Sequence, residues 1–187
     1  MEKVKLGPRE LLYPAPAVLV GATVGEKPNF MTVAWCGIAA SEPPALSVSI
    51  RGERHTLKGI EQHGVFSVNV APAGLVKEVD YCGIYSGKKR DKSGIFDVFY
   101  GVLKTAPLIR ECPVNVECKT IHTQDLGSHI LVVGQVMETY VSDDCMTDGK
   151  PDAEKIDPVI YTTGTGEYRR LGDVIAQSFN VGKNLKE

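Results

Sequence analysis

Apolar and polar positions alternate with a period of two along much of this chain. In residues 45 to 51, Leu46, Val48 and Ile50 fall on one side, and Ser47, Ser49 and Arg51 on the other. Residues 65 to 70 repeat the pattern, with Phe66, Val68 and Val70 opposite Ser67 and Asn69. Such alternation is the mark of strands. Residues 15 to 24 form an apolar run that predicts a first, buried strand. Gly25-Glu26-Lys27-Pro28-Asn29 has the chemistry of a turn, and residues 30 to 40 then predict a second strand, completing a hairpin. Further strands are expected over 114 to 120, 129 to 141 and 159 to 163.

Helical spacing is confined to two short segments. Thr56 stands as an N-cap for a helix over 57 to 63, closed by Gly64. Residues 74 to 82 place Leu75, Val76 and Val79 on one face of a second helix. Residues 83 to 94 are a polar, glycine-flanked loop, and 142 to 158 a turn-rich insertion. Six or more strands with two short helices predict a mainly β fold. An antiparallel barrel with helices at its ends suits this pattern, and a doubly wound parallel sheet does not.

The chain has 187 residues, of which 43% are hydrophobic. That is enough for a substantial core and favours a single domain over 1–187. The formal net charge of −2 offers no global field for a polyanion, so no nucleic-acid partner is expected. The N-terminus lacks the apolar stretch of a secretory signal, and no run approaches a membrane span. The five cysteines (Cys36, Cys82, Cys112, Cys118 and Cys145) are dispersed and never spaced C-x-x-C. This fits reduced thiols in a cytoplasmic protein, most of them buried as small hydrophobes.

Several nucleotide and catalytic signatures are missing. Gly164-Thr-Gly166 lacks the third glycine of a dinucleotide fingerprint, where Arg169 stands. Gly83-Ile-Tyr-Ser-Gly87-Lys88 is one residue short of a phosphate-binding loop of the Walker type and continues with Lys89. No metal-ligand spacing and no G-x-S-x-G elbow is present.

Three polar groups flank predicted strands instead. Asn29-Phe30-Met31-Thr32-Val33-Ala34-Trp35 brings an amide, a hydroxyl and flat side chains to one strand. Ser49, Arg51, Arg54, His55 and Thr56 lead from a strand into a helix start, where free backbone N–H groups suit a phosphate. Ser86-Gly87-Lys88-Lys89-Arg90-Asp91-Lys92 carries four cations in five residues. A charge run alone is usually a solvated loop. Two phosphate-seeking elements on a near-neutral chain point to one small phosphorylated ligand.

The order N-x-M-T-x-A-W, S-x-R, H-T, F-x-V-N, S-G-x-x-x-D-K and G-S-H before an apolar strand resembles the flavin reductase-like, flavoredoxin-type FMN-binding proteins. The resemblance spans Tyr13 to Leu171. It implies a split β-barrel of antiparallel Greek-key type, a homodimer and bound flavin mononucleotide (FMN). By position, Asn29, Met31, Thr32, Val33, Ala34, Trp35 and Cys36 would line the isoalloxazine ring. Ser49, Arg51 and Thr56 would take the phosphate end. Cys82, Gly83, Ser86, Gly87, Lys88 and Lys92 would close over the ribityl chain and phosphate. His129 would act beside the flavin or its hydride donor, and Tyr168 is a looser assignment.

The resemblance leaves two roles open. One is an NAD(P)H-dependent flavin or ferric reductase. The other is an electron carrier that keeps its FMN and exchanges electrons with a redox protein. A third reading, a split barrel that binds another ligand or only assembles, follows from the fold alone.

Overall fold

The computed structural model describes residues 1–185. In the first half of the chain the elements are β1 (Ala15–Pro16), β2 (Val18–Val24), β3 (Lys27–Val33), β4 (Cys36–Ser41), β5 (Pro44–Ile50), α1 (His55–His63), β6 (Val65–Val70) and α2 (Val76–Ile84). The second half contains β7 (Val98–Tyr100), β8 (Pro107–Ile109), β9 (Val114–Asp125) and β10 (Ile130–Val141). It closes with β11 (Met146–Thr147), β12 (Lys150–Pro151), α3 (Ala153–Ile156), β13 (Ile160–Thr162) and β14 (Glu167–Arg169).

Seven strands form one antiparallel sheet in the order β3-β2-β6-β9-β10-β5-β4. The two outermost strands, β3 and β4, are consecutive in the chain and separated only by Ala34 and Trp35. A flat sheet of this width would hold its edges about 29 Å apart. The link from Val33 to Cys36 spans at most about 11 Å. The sheet must therefore curl until its edges meet, which makes the split barrel expected from the sequence. A register shift between Val133 and Gly134 in the β9–β10 pair contributes to the bend. Gly134 lies against the Phe66 ring, where an added Cβ would stand 2.6 Å from ring carbons.

The core has two parts. Val20, Val48, Ile50, Phe66 and Val132 meet Leu57 and Ile60 of α1 inside the curl. Leu19, Phe30, Val79, Cys82, Phe96, Ile109 and Val159 pack outside it, under α2 and the segment before β9. The strand β2 serves both parts, with Val18, Val20 and Ala22 facing one and Leu19 the other. Burial on both faces explains the unbroken apolar run that announced this strand.

The structure changes several expectations. The strand expected over 15 to 24 divides at Ala17, and its first piece pairs with β13 in a separate small sheet. The strand expected over 30 to 40 breaks at Ala34–Trp35, because β3 pairs with β2 while β4 pairs with β5. The expected turn narrows to Gly25-Glu26, with Gly25 at φ +62. Thr56 is not an N-cap. Arg54 holds that position without a side-chain bond, and Thr56 lies inside α1. Gly64 does end the helix in the left-handed conformation.

The polar face of β6 is also buried. Asn69 Nδ2 donates to the Leu19 carbonyl at 2.9 Å, and Asn69 Oδ1 accepts from Ile109 N and Asn115 Nδ2 at 3.0 and 2.9 Å. The Ser67 hydroxyl donates to the Pro107 carbonyl. These bonds dock β8 on the sheet, and periodicity alone had not shown the β7–β8 hairpin.

Close packing of α1 on β2 depends on Gly59. An added Cβ would collide with the Thr23 carbonyl oxygen and sit 3.0 Å from the Ala22 Cβ. Gly59→Val is expected to cost about 3 kcal/mol of stability in urea unfolding. A loss below about 0.5 kcal/mol would show that α1 does not seat this tightly.

Candidate functional site

The break at Ala34–Trp35 opens a cleft at the seam of the barrel. It measures about 120 Å³ and is lined by Met31 to Trp35, Ser49, Arg51, Arg54 and His129. The Ser49 amide donates to the Trp35 carbonyl at 2.9 Å, which fixes the link against the end of β5. Pairing of Ile130 with Ile50 and of Leu131 with Ser49 brings the preceding His129 to the same place. The Trp35 and His129 rings stand 4.4 Å apart, tilted by 43°. His129 Nδ1 shares a hydrogen bond of 2.9 Å with the Ser128 hydroxyl.

Burial, and then the positive charge of Arg51, hold the His129 pKa below its ordinary value against a smaller opposing pull from Glu53. The imidazole is thus mainly neutral near pH 7. The Thr32 hydroxyl is spent on the Val79 carbonyl, so it ties β3 to α2. As a sheet edge, β3 leaves alternate backbone groups on its outer side without a partner strand. These are ready donors for a flat polar ligand.

A second cleft, of about 270 Å³, lies beyond the other end of β3. Lys27, Asn29, His55, Gly87 and the run Lys88 to Lys92 line it. Asn29 is buried and its Nδ2 donates to Thr56 Oγ1 at 2.7 Å. Gly87 crosses directly over this pair. A Cβ there would overlap Asn29 Oδ1 and come within 2.7 Å of the His55 ring, so only glycine allows the approach. Lys88 Nζ donates to the Glu53 carbonyl at 2.8 Å, which sets the ammonium at the turn before α1. Lys92 is only 2% exposed, and its ammonium donates to the Tyr85 and Cys82 carbonyls at 3.0 and 3.4 Å. A cation at the end of α2 also meets the negative end of that helix.

His55 Nδ1 is buried and has no partner among the described residues. Burial, followed by repulsion from Lys58, Lys88 and Lys92, lowers its pKa. The first turn of α1 carries no acidic residue and no side-chain cap. An uncapped helix start, an unpartnered imidazole nitrogen and a lysine loop together favour an anion. Arg54, between the two clefts, donates from Nη1 to the Gly83 carbonyl at 3.0 Å.

Residues 10–172 match the family described as the flavin reductase like domain. The chain belongs to this family. Among solved structures, this flavin reductase-like chain is similar to a flavoredoxin from Methanosarcina acetivorans, with 40% identity, 98% of each chain covered and a TM-score of 0.95. It is similar to the flavoredoxin of Desulfovibrio vulgaris (Miyazaki F), with 37% identity, 97% and 100% covered and a TM-score of 0.91. An FMN-binding protein from Thermus thermophilus, solved with bound 1-cyclohex-2-enone, shares 26% identity, 95% and 99% coverage and a TM-score of 0.81.

Within this family member, the residues singled out from sequence separate into groups. Met31, Thr32, Val33, Ala34, Trp35, Ser49, Arg51 and His129 share the seam cleft. Asn29, Gly87, Lys88 and Lys92 share the basic cleft. Thr56 is buried behind Asn29 and orients it. Ser86 shapes the loop. Its hydroxyl accepts from Lys88 N at 3.3 Å, and its carbonyl accepts from Lys89 N and Arg90 N at 2.9 and 3.0 Å. Gly83 contributes its carbonyl to Arg54 and faces the Thr32 side chain.

Cys36 lines neither cleft but a larger hollow beside the seam. Cys82 is fully buried in the outer core. Tyr168 lines neither cleft; it packs on the outer core, and its hydroxyl donates to Asp80 Oδ1 at 3.1 Å. His55 and Arg54 belong to the polar group that leads into α1. The signal that marks them is their position at an uncapped helix start, with Arg54 in the N-cap position and His55 the first helical residue.

Burial pushes the thiols of Cys36 and Cys82 up to about 11. At pH 8 the thiolate fraction is then about a hundredfold below that of an ordinary cysteine. Both residues should react with iodoacetamide at least that much more slowly than free thiol, as read by mass spectrometry of the native protein. Rapid labelling of either at pH 8 would contradict this environment.

Proposed function

We propose that this chain is an FMN-binding redox protein. Its ring wall is Met31 to Trp35, and its phosphate end is the start of α1. The observation that carries this reading is the pairing of two unlike clefts along one strand. The seam cleft offers an edge of backbone donors and two aromatic rings, while the other offers cations and an unpartnered imidazole. A flavin nucleotide has the same polarity, with a flat heteroaromatic ring at one end and a dianionic phosphate at the other. Similarity to flavoredoxins and to a protein described as FMN-binding supports the choice.

Bound FMN would supply a redox centre that accepts and returns electrons. The chain supplies its setting. Backbone N–H groups along the outer side of β3 and at the Ala34–Trp35 link are placed to meet carbonyl oxygens of a ring. Such donors stabilise the anionic reduced form and raise its potential. Arg51, Arg54 and Lys88 supply charge-assisted bonds around the α1 start. His55 can take up a proton there as an anion offsets the lysines. Lys92, tied to two carbonyls, anchors the loop that carries Gly87.

Trp35, 41% exposed, leaves the ring wall open to a donor. We assign NAD(P)H or a redox protein to that role, and a flavin or ferric reductase or an electron carrier as the corresponding activity. A homodimer is supported by exposed Ile38 on edge strand β4 and by the apolar C-terminal residues Val174, Ile175 and Phe179, which are also exposed. Among the described residues no helix is long and apolar enough to cross a membrane. The dispersed reduced cysteines support a cytoplasmic setting.

Arg51→Ala separates the two ends of the ligand. Its affinity for FMN should fall tenfold or more, the scale of one lost charge-assisted bond, while its affinity for riboflavin changes less than threefold. Fluorescence titration of both flavins measures this. Equal losses would move the phosphate away from α1, and failure of the unaltered protein to bind FMN would refute the reading.

A further inference from the structure

A cavity of about 510 Å³ lies between α1 and the outer end of the β9–β10 hairpin. It shares no lining residue with the seam cleft or the basic cleft. No β4 residue lines it, and none of the exposed C-terminal residues does.

A bulge gives this cavity its polar side. Thr120 pairs with Gly134 and His122 with Val133, so Ile121 is an extra residue in β9, and it is 55% exposed. Strict alternation from the buried Cys118 would aim Thr120, His122 and Gln124 at the core. The bulge instead turns Thr123 and Asp125 inward, beside Val132 and Ile130, their partners across the pair. At the inner end of the cavity the Thr120 amide donates to the Gly64 carbonyl at 2.8 Å and ties β9 to the end of α1.

The lining has two halves. Leu57, Ile60, Ile130 and Val132 make an aliphatic wall continuous with the inner core. Glu61, Thr120, Thr123 and Asp125 make a polar one. The Thr120 hydroxyl oxygen is buried and has no hydrogen-bond partner among the described residues. Such an atom costs stability unless something meets it. Glu61 and Asp125 have no ion-pair partner among the described residues, and no lysine, arginine or histidine lines the cavity. A phosphate would be repelled here, so neither FMN nor a nicotinamide nucleotide suits the space. Its volume and its place at a barrel mouth are those of small-molecule sites.

We propose that this cavity binds a small organic cation, an amine with an apolar body. The body rests on Leu57, Ile60, Ile130 and Val132, and the ammonium donates to Glu61, Asp125 and the Thr120 hydroxyl. Nothing in this rests on the flavin reading. The site is nevertheless back to back with the seam, because Ile130 lines the cavity and the preceding His129 lines the seam cleft.

The test is titration of the full chain, isotopically labelled at its Ile, Leu and Val methyls, by 1-adamantanamine near pH 7. Saturable NMR shifts are expected at the methyls of Leu57, Ile60, Ile130 and Val132. Adamantane-1-carboxylate, of the same shape and opposite charge, should bind at least tenfold more weakly. Thr123→Phe, which plugs the cavity, should weaken the amine at least tenfold. Glu61→Gln combined with Asp125→Asn should do the same without changing side-chain volume, and Thr120→Val should cost at least threefold. Shifts that do not saturate or that centre on other methyls would overturn the proposal. So would a carboxylate that binds as well as the amine, or an amine affinity unchanged by the plug or by the paired carboxamides.

Discussion

Everything at this site depends on a two-residue link between strands at opposite edges of one sheet. Ala34 and Trp35 join β3 to β4, and seven strands must curl for that join to be possible. The curl builds the inner core around Phe66, Val48 and Val132. It also places an irregular piece of backbone, with an exposed aromatic side chain, at the seam. Regular strands would have paired their amides there. The same constraint that makes the barrel leaves backbone donors for a ligand.

The basic side of the site has a different physical origin. Cations near one another repel, and the fold holds them by giving most of them a carbonyl or a carboxylate. Lys92 caps the end of α2, Lys88 takes the Glu53 carbonyl, and Lys27 pairs with Asp91 at 2.7 Å. The exposed Lys27–Asp91 pair adds little to stability. Its effect is positional, since it pins the loop beside the strand that carries Asn29. Gly87 then brings loop backbone against Asn29 and His55. What remains unsatisfied is the His55 nitrogen and the free start of α1, and both call for an anion.

Much of this was legible in the sequence. Period-two alternation marked β5 and β6, and Gly64 marked the end of α1. The resemblance gathered residues from distant segments that the structure then brings to two adjoining clefts. Other features were hidden for definite reasons. The apolar run Val33-Ala34-Trp35-Cys36 crosses the link without a proline or glycine, so nothing local signals that the strand changes partner. Alternation puts Asn69 on the polar face of β6 but does not show that this face is buried, because its partners, Leu19, Ile109 and Asn115, lie far along the chain. Thr56 has the residue type of an N-cap, but the buried amide of Asn29 claims its hydroxyl from another strand. Cys82 sits beside a motif in sequence yet points into the core, which adjacency cannot reveal.

The central claim is that the Ala34–Trp35 seam is the ring wall of a flavin site, acting mainly through its backbone. Amide NMR of the isotopically labelled protein during titration with FMN tests it most directly. The account predicts that the largest shifts fall on the amides of Met31 to Trp35 and Ser49, with a second group at Arg54 to Thr56 and Ser86 to Lys88. Riboflavin should reproduce the first group and not the second. Shifts centred elsewhere, such as the β11–β12 hairpin, or none at the seam, would contradict it.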